Sequence, residues 1–198
     1  MTPAVVLAAG ASTRMGRPKP LLEAGDRTFI RTILHALRDA GVPDAVVVVR
    51  PGQPLVIQEV EASGFGRAVI NTRADEGQLS SLLAGLEAID RPGVEAVLVT
   101  LVDVPLVGAA AIRALLARAA ASEAPILRAV HDGAHGHPVI FKRRLFDALR
   151  TADPTVGAKA VVRAAGVEDV EVNDAGAVED VDTPSDYARL FGKKNRPR

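Results

Sequence analysis

The sequence predicts an α/β fold with three layers and a mostly parallel, mixed sheet. Short valine-rich apolar runs alternate along the chain with longer segments of helical periodicity. The runs are continuously apolar rather than alternating, as in parallel strands that helices cover on both faces. A loop of small residues directly follows the first run, at the sheet edge where α/β folds bind ligands. These three features indicate repeated strand–helix–strand units with right-handed crossovers.

The first 121 residues predict four strands, each followed by a helix. In the first helix, Phe29, Ile33 and Leu37 fall on one face at 3.6 residues per turn. Gly41 stands just beyond that helix, which is typical of a C-terminal cap. The predicted strands cover residues 4–8, 45–49, 68–70 and 96–102, and the predicted helices cover residues 28–40, 55–63, 80–89 and 109–121.

The later part of the chain is less regular and favours some antiparallel strands, so that the sheet is predicted to be mixed. Pro184 suits the first turn of the last helix. We expect strands over residues 125–130, 138–141 and 167–172, a turn over residues 173–176, and helices over residues 143–149, 157–165 and 184–191.

The composition fits one core and excludes several kinds of site. With 48% hydrophobic residues in 198, we expect a single domain over residues 1–192 and a basic, disordered tail over residues 193–198. The 24 basic and 24 acidic residues cancel, so the overall charge does not favour nucleic acid or an anionic membrane. Cysteine is absent, which excludes disulfides, thiolate catalysis and Cys-ligated zinc.

Neither an export signal nor a membrane span is predicted. Residues 1–10 are apolar, but they are few and lack a basic start. The most apolar later stretch, residues 96–111, is interrupted by Asp103 and Pro105 and is too short to span a bilayer. We therefore expect a cytoplasmic protein without a membrane or nucleic-acid partner.

The loop over residues 7–19, called here the amino-terminal loop, combines small residues with positive charge. Small side chains let backbone N–H groups approach an anion closely, and Arg14, Arg17 and Lys19 add three cations. The two glycines of the loop are one residue too far apart for a P-loop, and the dinucleotide fingerprint G-x-G-x-x-G is absent. The residues favour phosphate binding, with a solvated connection as the alternative.

The motifs of this chain resemble those of a known family. Residues 7–19 read L-A-A-G-x-S-x-R-M-G-x-x-K, residues 101–105 read L-x-D-x-P, and residues 181–187 read V-D-T-P-x-D-Y. The pattern is similar to the MobA-like nucleotidyltransferases, and most of all to their molybdenum cofactor cytidylyltransferase-like branch. The related guanylyltransferases more often read L-A-G-G where this chain has Ala9. The resemblance implies a Rossmann-like three-layer sandwich of the nucleotidyltransferase type.

The resemblance also implies which residues of the amino-terminal loop bind a nucleoside triphosphate. Arg14 and Lys19 would grip the triphosphate and act in catalysis. The backbone contacts to the nucleotide would come from Leu7, Ala8, Ala9 and Gly10.

Two aspartates are implied as ligands of Mg²⁺. Asp103 follows the apolar run 96–102, and by itself it is better explained as a cap before a turn. Together with the motif of residues 7–19, the metal role is favoured. Many members of the family have Gln-Pro after this aspartate, where the chain has Val104-Pro105. Asp182 in V-D-T-P is implied as the second metal contact, with a helix N-cap as the alternative reading. Asp180 stands close enough in sequence that the choice between it and Asp182 stays open.

The resemblance also implies one segment that contacts the nucleobase and one that lies near the acceptor substrate. Gly77 and Ser81 belong to a G-x-x-x-S-L-x-x-G-L segment that contributes to the nucleobase pocket, while Ser80 is expected as a helix cap and Asn71 as a turn residue. In G-H-P-x-x-F, His137 and Pro138 are implied on the acceptor side.

The polar residues near this segment suggest two other kinds of site, an anion contact and a zinc site. Lys159 could contact an anion of the acceptor, but a solvated helix surface is the favoured interpretation. His131, His135 and His137 follow one another in a glycine-rich stretch, and their spacing gives no coherent zinc geometry.

The expected reaction is transfer of CMP from CTP to a phosphorylated acceptor, most simply the molybdenum–molybdopterin cofactor, with release of pyrophosphate. A guanylyltransferase and a sugar- or alditol-phosphate nucleotidyltransferase are enzyme alternatives. A non-catalytic chaperone for the molybdenum cofactor is an alternative of another class, although it would not need Lys19, Asp103 and Asp182 together. A molybdenum hydroxylase is the implied protein partner.

Overall fold

The computed structural model describes residues 1–192; the tail expected over residues 193–198 lies outside them. Within that range the strands are β1 (Ala4–Leu7), β2 (Glu23–Ala24), β3 (Arg27–Thr28), β4 (Ala45–Val49), β5 (Arg67–Ile70), β6 (Ala96–Leu101), β7 (Ile126–His131), β8 (Ala134–Lys142) and β9 (Glu168–Glu171). The helices are α1 (Phe29–Asp39), α2 (Pro54–Glu61), α3 (Gln78–Ile89), α4 (Ala109–Ala121), α5 (Phe146–Arg150), α6 (Ala158–Ala165) and α7 (Pro184–Phe191).

Seven of the strands form one mixed sheet, in the order β5-β4-β1-β6-β8-β7-β9. All neighbouring pairs are parallel except those made by β8, which runs antiparallel to both β6 and β7. The strands β2 and β3 pair separately as a small hairpin. The prediction of a mostly parallel, mixed sheet is confirmed. Because β1 lies between β4 and β6, the amino-terminal loop leaves the middle of the sheet.

Helices cover both faces of the sheet, which explains why its central strands are continuously apolar. Val6 and Ala8 point to one face, where they pack with residues of α1, α2, α4 and α7. Val5 and Leu7 point to the other face, with residues of α3, α5 and α6. The three layers are therefore those that the sequence predicts. No helix within residues 1–192 is both long and apolar enough to cross a membrane.

The largest difference from the predicted elements is β8, which has nine residues rather than the four expected over 138–141. It is joined to β7 by a two-residue turn, Asp132-Gly133, with φ values of 49° and 75°. An Asp-Gly pair with two positive φ angles is a strong hairpin signal. The sequence does not predict this hairpin, because the histidines and glycines around it resemble a loop. The helix expected over residues 143–149 begins as a 3₁₀ turn and becomes α-helical only from Phe146.

Helix α3 approaches β1 so closely that one position requires glycine. A Cβ atom on Gly85 would lie 2.4 Å from Cγ1 of Val5 and 3.0 Å from Cγ2 of Val48. This contact brings α3 down onto the centre of the sheet. The amino end of α3 consequently lies beside the carboxyl end of β1.

We expect Gly85→Ala to lower the free energy of unfolding by about 1–3 kcal/mol, because a methyl group would be forced into a filled core. Thermal unfolding followed by circular dichroism measures the effect. Gly192→Ala is the control, since a Cβ there would meet only the Cβ of Ala188 at 3.7 Å. An unchanged melting temperature for Gly85→Ala would contradict the close packing of α3 on β1.

Candidate active site

Four charged side chains meet beyond the carboxyl ends of β1 and β6. The Lys19 Nζ lies 2.6 Å from Asp182 Oδ1 and 3.5 Å from Asp103 Oδ2. Arg14 adds a longer contact, 3.6 Å from its Nη2 to Asp182 Oδ2. The Lys19 side chain is only 12% exposed, whereas that of Arg14 is 68% exposed. The two cations expected to bind phosphate thus contact the carboxylates expected to bind metal.

The amino-terminal loop folds back on itself to carry Lys19 to this position. A 3₁₀ turn over Thr13–Met15 lies between two residues of left-handed conformation, Ser12 with φ 51° and Gly16 with φ 68°. The Ser12 Oγ accepts a hydrogen bond from the backbone N–H of Lys19 at 3.1 Å. Ser12 therefore closes the loop. No role for Ser12 is predicted from the sequence, although serine is a fixed position of the motif.

Asp182 reaches the site because the backbone before it is tied to Asp103. The N–H of Val181 donates to the Asp103 carbonyl at 2.8 Å. The N-cap of α7 is Thr183, which exchanges hydrogen bonds with Asp186 in a capping box. Asp182 is therefore not the helix cap that the alternative reading proposed, and its carboxylate is free to bind Lys19 and Arg14.

Two glycines allow the segment between β9 and α7 to pack against the sheet. A Cβ on Gly176 would lie 2.3 Å from the Leu106 carbonyl oxygen, and a Cβ on Gly136 would lie 2.1 Å from the Ala177 carbonyl oxygen. Any larger residue at either position would push the backbones apart. Gly136 and Gly176 thus serve the placement of Asp182, a role that no motif indicated.

The carboxylates fit a divalent cation by their chemistry. The Oδ1 atom of Asp103 is buried and has no hydrogen-bond partner among residues 1–192, which is costly for a carboxylate unless a cation approaches it. Asp103 and Asp182 contact the same ammonium group, so they are close enough to share one ion. Mg²⁺ bound together with phosphates usually takes one or two such carboxylates. Among their neighbours, Asp180 is exposed and Glu179 binds Arg189 at 3.0 Å.

A cavity of about 400 Å³, called here the nucleotide cavity, opens around these charges. The residues expected from the sequence that line it are Leu7, Ala9, Gly10, Arg14, Lys19, Gly77, Ser81, Asp103 and Asp182. Ala8 is not among its lining residues, because its side chain packs in the core and its N–H donates to the Val48 carbonyl at 2.9 Å. Arg17 also lies elsewhere, with its guanidinium over the Tyr187 ring, 6.0 Å from the centroid.

The start of α3 forms the far wall of the nucleotide cavity. Its N-cap is Gly77, with φ 102°, and not Ser80 as expected. Glycine is needed there because other residues rarely adopt such a φ. The Ser80 hydroxyl instead donates to the backbone carbonyls of Arg73 and Gly77. Asn71 lies against both serines of this turn.

A second cavity of about 590 Å³, called here the acceptor-side cavity, adjoins the first. The two share Leu7, Gly77, Gln78 and Leu101 in their walls, so they are continuous. Most of the lining of the acceptor-side cavity is apolar, and its basic side chains are Arg128, His135, His137 and Lys159. Lys159 thus stands at a cavity rather than on a helix surface alone.

The three histidines that follow one another near β8 each have different surroundings. His131 contacts the Val172 carbonyl through Nδ1 at 2.9 Å, and His135 lies 3.4 Å from Asp169. His137 lines the acceptor-side cavity, and its Nδ1 is buried without a hydrogen-bond partner. Burial lowers the pKa of His137, although a hydrogen bond with the Val99 backbone opposes the shift. Pro138, which follows it through a cis peptide bond, is buried within β8.

The chain matches the family model described as the MobA-like NTP transferase domain over residues 4–170. A similar curated protein is the molybdenum cofactor guanylyltransferase of Rhodopseudomonas palustris strain BisB5, 34% identical over 144 residues, which are 70% of this chain and 65% of that protein. A probable molybdenum cofactor guanylyltransferase of Opitutus terrae is 33% identical over 105 residues, 53% and 49% of the two chains. The chain spans 23% to 65% of the length of the curated relatives that it matches.

A similar solved structure is that of Rv0371c from Mycobacterium tuberculosis H37Rv. It is 28% identical, with a TM-score of 0.81 and coverage of 97% of this chain and 99% of that one. Rv0371c has also been crystallised in complex with manganese. The fold is thus that of the nucleotidyltransferase class. Within it, the chain belongs to the MobA-like NTP transferase family, because the family model covers most of its length.

The lowered pKa of His137 predicts a pH dependence of stability. Burial keeps this imidazole neutral to lower pH in the native protein than in the unfolded chain, which binds a proton below pH ~6.5. The contribution of His137 to the free energy of unfolding is therefore fully present above that pH. It falls as the pH decreases, by at most about 1.4 kcal/mol per pH unit.

Denaturant unfolding at pH 7.5 and pH 5.5 measures this contribution. We expect the loss of stability between the two pH values to be smaller in His137→Gln than in the wild type. His135→Gln is the control, because its side chain is 57% exposed. An equal loss in the wild type and in His137→Gln would show that burial does not hold His137 neutral.

Proposed function

We propose that this protein transfers CMP from CTP to a phosphorylated acceptor of the molybdopterin type and releases pyrophosphate. The observation that carries the proposal is the convergence of Arg14, Lys19, Asp103 and Asp182 in one cavity, at the carboxyl edge of the sheet. Such an arrangement suits a reaction between two polyanions, because cations offset their repulsion and carboxylates hold a metal ion.

In this reaction an oxygen of the acceptor phosphate attacks the α-phosphorus of the nucleotide. A P–O bond forms there, and the bond to the β-phosphate oxygen breaks. The acceptor phosphate is already anionic, so it needs no strong general base. Lys19 and Arg14 neutralise the triphosphate and the charge that develops on the leaving pyrophosphate. The backbone beside Ala9 and Gly10 lets the phosphates approach closely.

Asp103 and Asp182 would hold Mg²⁺, which supplies positive charge to the phosphates when bound. The unpartnered Oδ1 of Asp103 supports this assignment. The manganese complex of Rv0371c supports a divalent cation for the family, although not a particular metal. In the structure Lys19 balances both carboxylates, so its ammonium group must exchange carboxylate oxygens for phosphate oxygens when nucleotide and metal bind.

The acceptor-side cavity suits a substrate with a broad apolar body and an anionic end. Its walls are mostly apolar, and it opens into the nucleotide cavity, where the acceptor phosphate would meet the α-phosphorus. The names of the relatives from Rhodopseudomonas palustris and Opitutus terrae support the molybdenum cofactor as acceptor. A molybdenum hydroxylase would then receive the product.

CTP is favoured over GTP by the amino-terminal loop, in which Ala9 stands where the guanylyltransferases more often have glycine. Ala9 lines the nucleotide cavity and is 5% exposed. The names of the curated relatives make a guanylyltransferase the second candidate. The two candidates differ only in the base, so a binding comparison separates them.

Thermal unfolding with each ribonucleoside triphosphate, with and without Mg²⁺, tests the nucleotide assignment. A ligand at about 100 times its dissociation constant adds about 2.7 kcal/mol, which raises the melting temperature by several degrees in a domain of this size. We expect the largest shift with CTP and Mg²⁺ together. A larger shift with GTP would assign the guanylyl branch, and no shift with any triphosphate would contradict the proposed reaction.

We expect Lys19→Ala to lower the rate of pyrophosphate release about 10²–10³-fold, because it removes a preorganised cation from the phosphates. Steady-state turnover with CTP and the molybdopterin acceptor measures the loss. Arg17→Ala is the matched control, since it removes a charge from the same loop but from a side chain that lies over Tyr187. Equal losses in both variants would indicate a general effect of charge, and a normal rate in Lys19→Ala would refute its role.

A further inference from the structure

A small buried polar cluster lies behind the wall of the nucleotide cavity. Asn71 is 3% exposed, and Ser80 and Ser81 are each 5% exposed. The backbone N–H of Asn71 donates to the Val49 carbonyl at 2.8 Å, which continues the pairing of β5 with β4. Most buried polar groups have hydrogen-bond partners, because an unpaired one costs free energy. Their donors and acceptors can therefore be counted.

The hydrogen bonds of Asn71 fix the orientation of its carboxamide. The backbone N–H of Arg73 donates to Asn71 Oδ1 at 2.9 Å, so the other end of the amide carries the two N–H groups. Those groups donate to Ser80 Oγ at 2.9 Å and to Ser81 Oγ at 3.0 Å. Both serine oxygens therefore accept a hydrogen bond from the same side chain.

The two serines differ in what their own protons do. The Ser80 hydroxyl donates to the Arg73 carbonyl at 2.7 Å and to the Gly77 carbonyl at 2.8 Å, so its proton is engaged within the protein. Among residues 1–192, no acceptor lies within hydrogen-bond distance for the Ser81 hydroxyl proton. Ser81 lines the nucleotide cavity, and Ser80 is not among the lining residues. The free proton of the cluster is thus at the cavity wall.

We infer that Asn71 is a positioning residue, which holds the Ser81 hydroxyl as a hydrogen-bond donor to a carbonyl oxygen of the nucleobase. Because the Ser81 oxygen accepts an N–H group from Asn71, its own proton is directed away from Asn71, and Ser81 lines the nucleotide cavity. The inference rests on the proposed function in so far as a nucleotide occupies this cavity. It adds a chemical selection, because cytosine, guanine and uracil carry a carbonyl oxygen and adenine does not.

Nucleotide affinities in a double-mutant cycle test the inference. Isothermal titration with CTP, GTP, ATP and inorganic tripolyphosphate, each with Mg²⁺, is made for Ser81→Ala, Asn71→Ala and the double variant. A hydrogen bond contributes about 1 kcal/mol. We therefore expect Ser81→Ala to lower the affinity for the preferred carbonyl-bearing nucleotide about fivefold and to leave the affinity for ATP unchanged. Asn71→Ala should also lower the ratio of the affinity for that nucleotide to the affinity for ATP. The double variant should show no further loss of this ratio.

Two controls separate positioning from a structural effect. Tripolyphosphate has no base, so its affinity should be the same in all variants if the phosphate site is intact. Ser80→Ala removes a hydroxyl that binds the same Asn71, but the ratio of affinities for the preferred nucleotide and ATP should not change. A loss of that ratio in Ser80→Ala would overturn the inference, since a repacking of the helix start would then explain every variant.

The remaining outcomes distinguish this inference from the proposed function. If the wild type binds GTP rather than CTP, the ratio of GTP to ATP should respond in the same way, so the inference holds while the base assignment fails. If the wild type binds nucleotides but Ser81→Ala or Asn71→Ala leaves the ratio unchanged, only the inference fails. If no nucleotide binds, both fail together.

Discussion

The contact of the Lys19 ammonium with two carboxylates is the interaction on which the site depends. Asp103 is 84 residues from Lys19 in the sequence and Asp182 is 163 residues away, yet both contact its Nζ atom. Each comes from a different part of the sheet: the loop after β1, the end of β6, and the segment after β9. A partly buried ammonium needs such partners. The contact therefore requires that these three segments keep their relative positions.

Backbone packing, rather than the charges themselves, holds these three segments in their relative positions. The segment between β9 and α7 comes so close to Leu106 and to β8 that only glycine fits at positions 176 and 136. The hydrogen bond between Val181 and Asp103 then sets the next side chain beside the lysine. Attraction between partly exposed charges is worth about 1 kcal/mol or less, so it could not by itself order the loops.

The sequence was sufficient for those parts of the fold that depend on local pattern. The central strands were predictable because their apolar runs report burial on both faces, as Val46 and Val47 in β4 illustrate. The extent of β8 was missed because its first residues, such as His135, are polar and exposed, so that only pairing with β7 makes them a strand. In the site, the motifs indicated which residues come together, but not that Ser12 closes the loop or that Asn71 binds both serines. Those roles depend on individual side-chain hydrogen bonds, which no spacing in the sequence reveals.

The charge balance of the site bears on how its ligands enter. Two cations and two carboxylates offset one another, so the nucleotide cavity has no excess charge from these groups. A metal ion alone would approach carboxylates that already hold an ammonium group, and a triphosphate alone would approach cations that already hold carboxylates. Under the proposed function, Asp103 and Asp182 would hold the metal ion when it is bound, and Lys19 and Arg14 would then contact the phosphates. The ion pairs present without ligand would therefore favour joint binding of metal and nucleotide over binding of either one.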